Sequence, residues 1–393
     1  MTEETTAHDY HDYVVERQHG PATLIDGIAP EWTALCAEGP CNEPFYYPAW
    51  AMAYLTAFEP RVPITLITVR RDGALRAVLP LTERSIGVGP LRLRWLRATA
   101  NSHFTRFDII HGANDGDIVA REIWTYLKNW KGWDVLHIES APKGGVAWRL
   151  LALAGTSGHP TRLHRPDASP YLDLTEFPGD IDDIISSVPK NLRSQIRRSL
   201  KRLRSQAEVE FRIVDSDSTA PELENAVETL YHVEASGWKG RAGTAILDDQ
   251  ATKRFYDQVI ADGLTKDSLA IGQLRCGGHV VATELCLVWN GTMYQLKAGY
   301  DEAFSKWSPG HLFKAHVMAA ATADGIEVLD NCGRADPHKV AWTSLSRPFA
   351  ACFIGNNTFG ARAAWTVLFR AGPMVRTRLK NMPIPGFVHR LLG

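Results

Sequence analysis

The stretch Leu296-Lys297-Ala298-Gly299-Tyr300-Asp301, followed by Ser308-Pro309-Gly310-His311 and then by Ile326-Glu327-Val328-Leu329-Asp330-Asn331-Cys332-Gly333, decides the fold. It reads as a strand end, a helix opened by Ser-Pro-Gly, and a short apolar strand. Serine is a helix-capping residue and proline suits the first helical position, so Ser308 is expected to cap a helix running from Gly310 to about Asp324. The amides of Gly310 and His311 then lack an intrahelical acceptor and point outward. Such a helix start attracts anions, and glycine removes the side-chain obstacle, so a phosphate-bearing ligand has a place to lie.

Upstream, Ser268 to Arg275 leads into Cys276-Gly277-Gly278, then the apolar run His279 to Val288, the turn Asn290-Gly291, and Thr292 to Lys297. Three antiparallel strands are implied, and the helix and the strand Ile326 to Asp330 complete a strand, strand, strand, helix, strand series. The first half repeats it. Ile64 to Arg70, Asp72-Gly73, Ala74 to Leu81 and Leu91 to Leu96 read as three strands, followed by a helix near Ile118 to Trp130 and the strand Trp133 to Ile138. The expected fold class is therefore α/β of the α+β kind: two tandem domains, each a mixed, mostly antiparallel sheet flanked by helices. The boundaries expected are a loose N-terminus over 1–20, domains over 21–174 and 175–350, and a tail over 351–393. The link is placed near the loop Gly158 to Ala168 or just after Leu174.

With 393 residues, 45% of them hydrophobic, the chain can bury two cores, and its net charge of -1 exerts no global pull on nucleic acid. The six cysteines, at 36, 41, 276, 286, 332 and 352, have no metal-type spacing and read as reduced and mostly buried, which points to the cytosol. No metal is expected. The N-terminus has neither the basic start nor the apolar run of a secretion signal. From Pro337 to Gly393 there are eight Lys or Arg residues and no Asp or Glu, interleaved with apolar residues. That tail suits either an anionic membrane surface, peripheral to the inner membrane, or the acidic parts of the protein's own surface.

Several of these features recur together and in order: Phe45 to Trp50, Pro80-Leu81, Ser169-Pro170-Tyr171-Leu172-Asp173-Leu174, the arginine helix after Asn191, Gly237-Trp238-Lys239-Gly240, Ser308-Pro309-Gly310, and Lys339 with Trp342. The strand and helix series resembles the GNAT superfamily of N-acetyltransferases. Over roughly residues 40 to 350 the chain resembles its CelD/BcsL-type members, associated with bacterial cellulose and exopolysaccharide synthesis, which in turn look like the FemAB-type peptidyltransferases. The resemblance implies tandem GNAT-like domains, the second moving an acyl group, acetyl above all, from acetyl-CoA or another acyl-CoA. The acceptor implied is an amine or hydroxyl on a small molecule, sugar or envelope precursor. Lys306-Trp307-Ser308-Pro309-Gly310-His311 departs from the superfamily's pyrophosphate-loop spacing. Aminoacyl transfer from tRNA, as in the FemAB type, and a non-catalytic role in exopolysaccharide assembly therefore stay open.

Acyl transfer needs a proton acceptor, donors for the developing oxyanion and an acid for the leaving thiolate. Glu284, inside an apolar strand, and Asp330, at a strand end, are candidate bases; Tyr300 is a candidate acid. The backbone around Lys297 to Gly299 is a candidate for the oxyanion, and Lys297, Gly299, Ser308, Gly310 and His311 for holding the donor. The resemblance adds Lys339 near the reacting groups, and from the FemAB-type spacing of Arg, three residues, Arg it marks Arg193 and Arg197 for an anionic acceptor group. Between Lys190 and Arg204 there is no acid, and arginine's planar fork suits such groups. Trp238 and Lys239 read either as an aromatic wall with a hinge at Gly240 or as a helix end packed on the core.

Overall fold

The computed structural model describes residues 13–86, 93–177, 179–366 and 369. Three turn pairs set its hairpins. Asp72-Gly73, Gly277-Gly278 and Asn290-Gly291 all have positive φ at both residues, the conformation that lets two antiparallel strands follow their natural twist. The first half contains β1 (Tyr13–Gly20), β2 (Ile64–Arg71), β3 (Ala74–Ile86), β4 (Leu93–Ala98), the short β5 (Ile110–His111) and β6 (Val135–Pro142). Its helices are α1 (Ala29–Glu38), α2 (Pro48–Phe58), α3 (Gly116–Asn129) and α4 (Val146–Thr156). The chain crosses on β7 (Thr161–Asp173) to α5 (Ile181–Ser187), α6 (Lys190–Arg204), β8 (Val209–Asp215), α7 (Ala220–Ser236), the one-turn α8 (Trp238–Arg241) and α9 (Gln250–Thr265). It ends with β9 (Leu269–Cys276), β10 (His279–Trp289), β11 (Thr292–Tyr300), α10 (Pro309–Ala323), β12 (Val328–Asp330), α11 (Pro337–Val340), β13 (Ser346–Gly355) and α12 (Phe359–Thr366).

The order of elements is doubled as the sequence implies. In the first half β1 to β4 form an antiparallel ladder, and after α3 the strand β6 pairs parallel to β4. In the second, β8 to β11 form the ladder, and after α10 β12 pairs parallel to β11. The two sheets are one. Its order is β1-β2-β3-β4-β6-β13-β7-β12-β11-β10-β9-β8, because each half lends its last strand to the other: β13 pairs with β6, β7 pairs with β12, and the two lent strands pair with each other. Apolar packing crosses as well. Trp50 of α2 meets Phe255 of α9 with ring centroids 5.5 Å apart, inside a core cluster drawn from both halves.

Three expected boundaries move. Residues 13–20 are not loose but pair with β2 from Tyr13↔Arg71 to Gly20↔Ile64; an edge strand tolerates the charges that made this segment look unstructured. The expected linking loop Gly158 to Ala168 is mostly β7. Pro166 falls at a register irregularity opposite β13, and Pro170 lies where β7 exchanges β13 for β12, positions at which a missing amide costs little. The expected tail over 351–393 begins inside β13, and α12 follows; 367, 368 and 370–393 lie outside the described residues, and with them most of the proposed membrane contact. All six cysteines are free and buried. Among the described residues, no helix is long and apolar enough to cross a membrane.

Candidate functional site

The second half holds a cavity of about 640 Å³ where two parallel strands part. β11 and β12 pair only from Thr292↔Val328 to Tyr294↔Asp330; β12 then ends while β11 continues to Tyr300. The freed edge of β11 faces the cavity. Its register against β10 shifts between Leu285↔Lys297 and Cys286↔Gln295, so Leu296 is an extra, bulged residue. Lys239 Nζ donates to the Ala298 carbonyl at 2.8 Å, which places that carbonyl, and with it the Ala298 amide, on the open edge.

The start of α10 forms another wall, though not by the expected cap. Ser308 sits in the left-handed region at φ 53°, and its side chain makes no bond to the helix. Its carbonyl instead accepts from Ser199 Oγ on α6 at 3.4 Å. Gly310 and His311 still line the cavity, and a Cβ placed on Gly310 would meet nothing within 4 Å. Trp342 Nε1 donates to His311 Nδ1 at 3.2 Å, which leaves the ring proton on Nε2; burial holds the imidazole below its ordinary pKa, hence neutral.

A polar bridge pins the strands apart. From the sixth residue of α10, Lys314 reaches with Nζ to Gln295 Oε1 on β11 at 3.1 Å and to Asn331 Oδ1 just beyond β12. Gln295 Nε2 in turn donates to Glu284 Oε2 on β10. Glu284 is 7% exposed; burial raises its carboxyl to about 7, against the pull of Lys314 and the Gln295 hydrogen bond. The same burial lowers Lys314 to about 8, opposed by the Glu284 charge.

On the facing wall, Glu234 of α7 is enclosed by two lysines. Lys239 Nζ lies 3.0 Å and Lys297 Nζ 3.8 Å from its Oε1, while Oε2 accepts from the Ile246 amide at 2.8 Å. Lys297 also lies over the Tyr256 ring at 5.2 Å. The first half closes this end: Ser102 to Thr105 line the cavity, and His103 Nδ1 lies 3.3 Å from Tyr256 Oη. Tyr300 and Lys339 line it too. Lys339 Nζ donates to the carbonyls of Cys332 (2.8 Å) and Arg334 (3.2 Å), so its charge shapes the loop after β12.

The structure thus gathers Glu284, Tyr300, Lys297, Gly299, Ser308, Gly310, His311, Lys239 and Lys339 around one cavity, and it gives other residues different tasks. Asp330 is no free base: fully buried, it is clasped by Arg106 Nη2 and by Arg347 Nη1 (2.7 Å), and it accepts the Cys332 amide at 2.9 Å. Gly299 serves packing, since a Cβ there would lie 2.7 Å from the Glu234 Cα on the crossing helix. Arg193 and Arg197 face away from the cavity. Arg197 Nη2 reaches Ser186 Oγ on α5 at 3.4 Å, Arg193 lies one turn earlier on the same face, and Gln195 faces the cavity instead. Trp238 opens α8, but its side chain lies outside the described residues. Sequence reasoning missed Lys314, Gln295, Asn331 and Glu234. A single lysine in the otherwise acid- and base-poor first turns of Pro309-Gly310-His311-Leu312-Phe313-Lys314, with His311 the one other polar side chain, was the signal available for the first.

Residues 190–340 match the model of the acetyltransferase (GNAT) domain. No curated protein matches the chain by sequence. Among solved structures, FemX is similar at 12% identity and a TM-score of 0.57, over 90% of this chain and 99% of that one. The C-terminal domain of a putative lysylphosphatidylglycerol synthetase from Agrobacterium fabrum is similar at 13% identity and a TM-score of 0.49, over 87% and 96%. A tandem GNAT protein from the clavulanic acid biosynthesis pathway is similar at 14% identity and a TM-score of 0.47, over 86% and 98%. The domain match, the full-length likeness to FemX and the doubled order of elements identify a GNAT-type fold.

Proposed function

We propose that the protein is an acyltransferase that takes its acyl group from an acyl-coenzyme A, acetyl-coenzyme A in the simplest case, and passes it to an amine or hydroxyl in this cavity. The observation that carries the reading is the parting of β11 and β12 at the start of α10, with the buried Glu284 carboxyl of β10 lining the cavity so opened. The unbonded amides of Gly310 and His311, with the His311 Nε2 proton, suit the donor's diphosphate. The amide of Ala298 and the bulge at Leu296 offer donors to the thioester carbonyl as it becomes an oxyanion. Glu284 takes the proton of the attacking group, the C–S bond breaks as the new C–N or C–O bond forms, and Tyr300 is placed to protonate the thiolate. The resemblance to CelD/BcsL-type proteins supports a sugar or envelope-precursor acceptor.

The test is direct. Protein purified from the cell is expected to carry coenzyme A or an acyl form by native mass spectrometry, and to bind acetyl-coenzyme A in calorimetry. Gly310→Val, whose Cβ meets open space and which is expected to keep the fold, should weaken that binding about tenfold or more by filling the diphosphate's place. Unchanged affinity in this variant would remove the site from consideration.

A further inference from the structure

The cavity's charge is not balanced. Two ammonium groups, on Lys239 of α8 and Lys297 of β11, share the single carboxylate of Glu234, at 3.0 and 3.8 Å from the same oxygen. From the remaining elements packed against Lys297 come the Tyr256 ring of α9 and, in the first-half loop, the His103 imidazole. Ser102 to Thr105 bring no carboxylate, and Asp249, whose charge acts on His103, is engaged by the Thr252 side chain at 2.7 Å. Around the whole cavity Lys239, Lys297, Lys314 and Lys339 face Glu234, Glu284 and Asp336.

We infer that the acceptor carries an anionic group, a carboxylate or a phosphate, and docks it between Lys297 and Lys239 on the wall that His103 closes. The inference rests on the acyl-transfer reading and adds the substrate's charge to it. A plain ammonium entering this cavity meets net positive charge and is repelled; an acceptor bearing its own anion supplies the missing counter-charge. The same field favours the neutral amine over its ammonium form, which is the form that attacks a thioester. Lys297 responds to its surroundings in the same sense: burial and the neighbouring Lys239 charge lower it to about 8, against the Glu234 charge. An anion bound beside it would hold it protonated, and binding should therefore weaken as the pH rises past about 8.

Calorimetry on the full chain at pH 7 tests this with matched probes: glucosamine 6-phosphate against glucosamine, and L-alanine against L-alaninamide. The member bearing the anionic group in at least one pair should bind about tenfold or more tightly than its partner without it, the scale of one charge-assisted contact. The pair that discriminates tells phosphate from carboxylate. Lys297→Met and Lys297→Gln should each erase the difference while leaving the melting temperature in place. Equal binding of both members, no binding of either anion-bearing probe, or discrimination that survives both substitutions would overturn the inference. Coenzyme A titrated into the parent protein reports separately on the donor site, so its failure to bind counts against the acyl-transfer reading and failure of the parent to discriminate the anionic probes against this one.

Discussion

Glu284 shows what a single residue discloses in sequence and what it conceals. A carboxylate in the apolar run of β10 signals desolvation, and the structure delivers it: the group is raised to about 7. A base with that pKa is protonated and idle in acid. The rate with an identified acceptor should therefore rise with pH, about tenfold per unit well below 7, and level off above it. Glu284→Gln should remove that limb and lower kcat by about 10²- to 10⁴-fold. Steady-state rates from pH 5 to 9 decide the matter, and an unchanged limb in the variant would give the proton to another group. Asp330 shows the opposite case. Its sequence signal, a carboxylate closing a core strand, is as strong, yet its partners Arg106 and Arg347 come from segments 224 and 17 residues away. No local pattern carries a contact of that kind, and for the same reason Glu234 went unread as the partner of Lys239 and Lys297.

At the scale of elements, periodicity and turn residues made β9 to β11, α10 and their first-half counterparts legible, while the orientation of faces was less so. The buried stripe of α6 was readable from Ile196, Leu200 and Leu203, but whether its cations met the cavity depended on α5 and α10, whose positions are tertiary. Arg193→Ala and Arg197→Ala are accordingly expected to leave donor and acceptor affinity unchanged within error in calorimetry. The two glycines of the site make a sharper pair. Gly310 stands in open space, whereas a Cβ on Gly299 would press on the backbone of α7 at 2.7 Å. Gly299→Ala should cost about 1–3 kcal/mol of stability by forcing α7 off β11. Gly310→Ala, whose Cβ meets no atom, should stay within about 1 kcal/mol of the parent, with only the small backbone effect of replacing glycine. Urea denaturation of the two variants side by side tests the distinction, and equal losses would mean that the crossing of α7 over Gly299 yields without cost.

In the whole molecule, the exchange of strands is what the sequence did not show. Two similar series suggested two domains joined by a linker, because repeats are visible along a chain and the partner of a lent strand is not. Here β6 is completed by β13 and β12 by β7, so neither half has a finished sheet alone. The joint is charged: Asp330 of the second half, 0% exposed, holds Arg106 of the first half and Arg347 of β13, and Arg106 also pairs with Glu43 at 3.1 Å. Arg347 is further held over the Tyr171 ring of β7 at 4.0 Å. Removing one partner of such a cluster leaves an uncompensated buried charge, so Arg106→Met should lower the unfolding free energy by about 3–5 kcal/mol. Because one sheet and one apolar core run through both halves, the loss should appear as a downward shift of a single transition. Calorimetry of the parent and variant supplies the measurement. Two separated transitions in the parent, or a variant in which only one half melts early, would mean that the halves hold together by contact and not by a shared sheet.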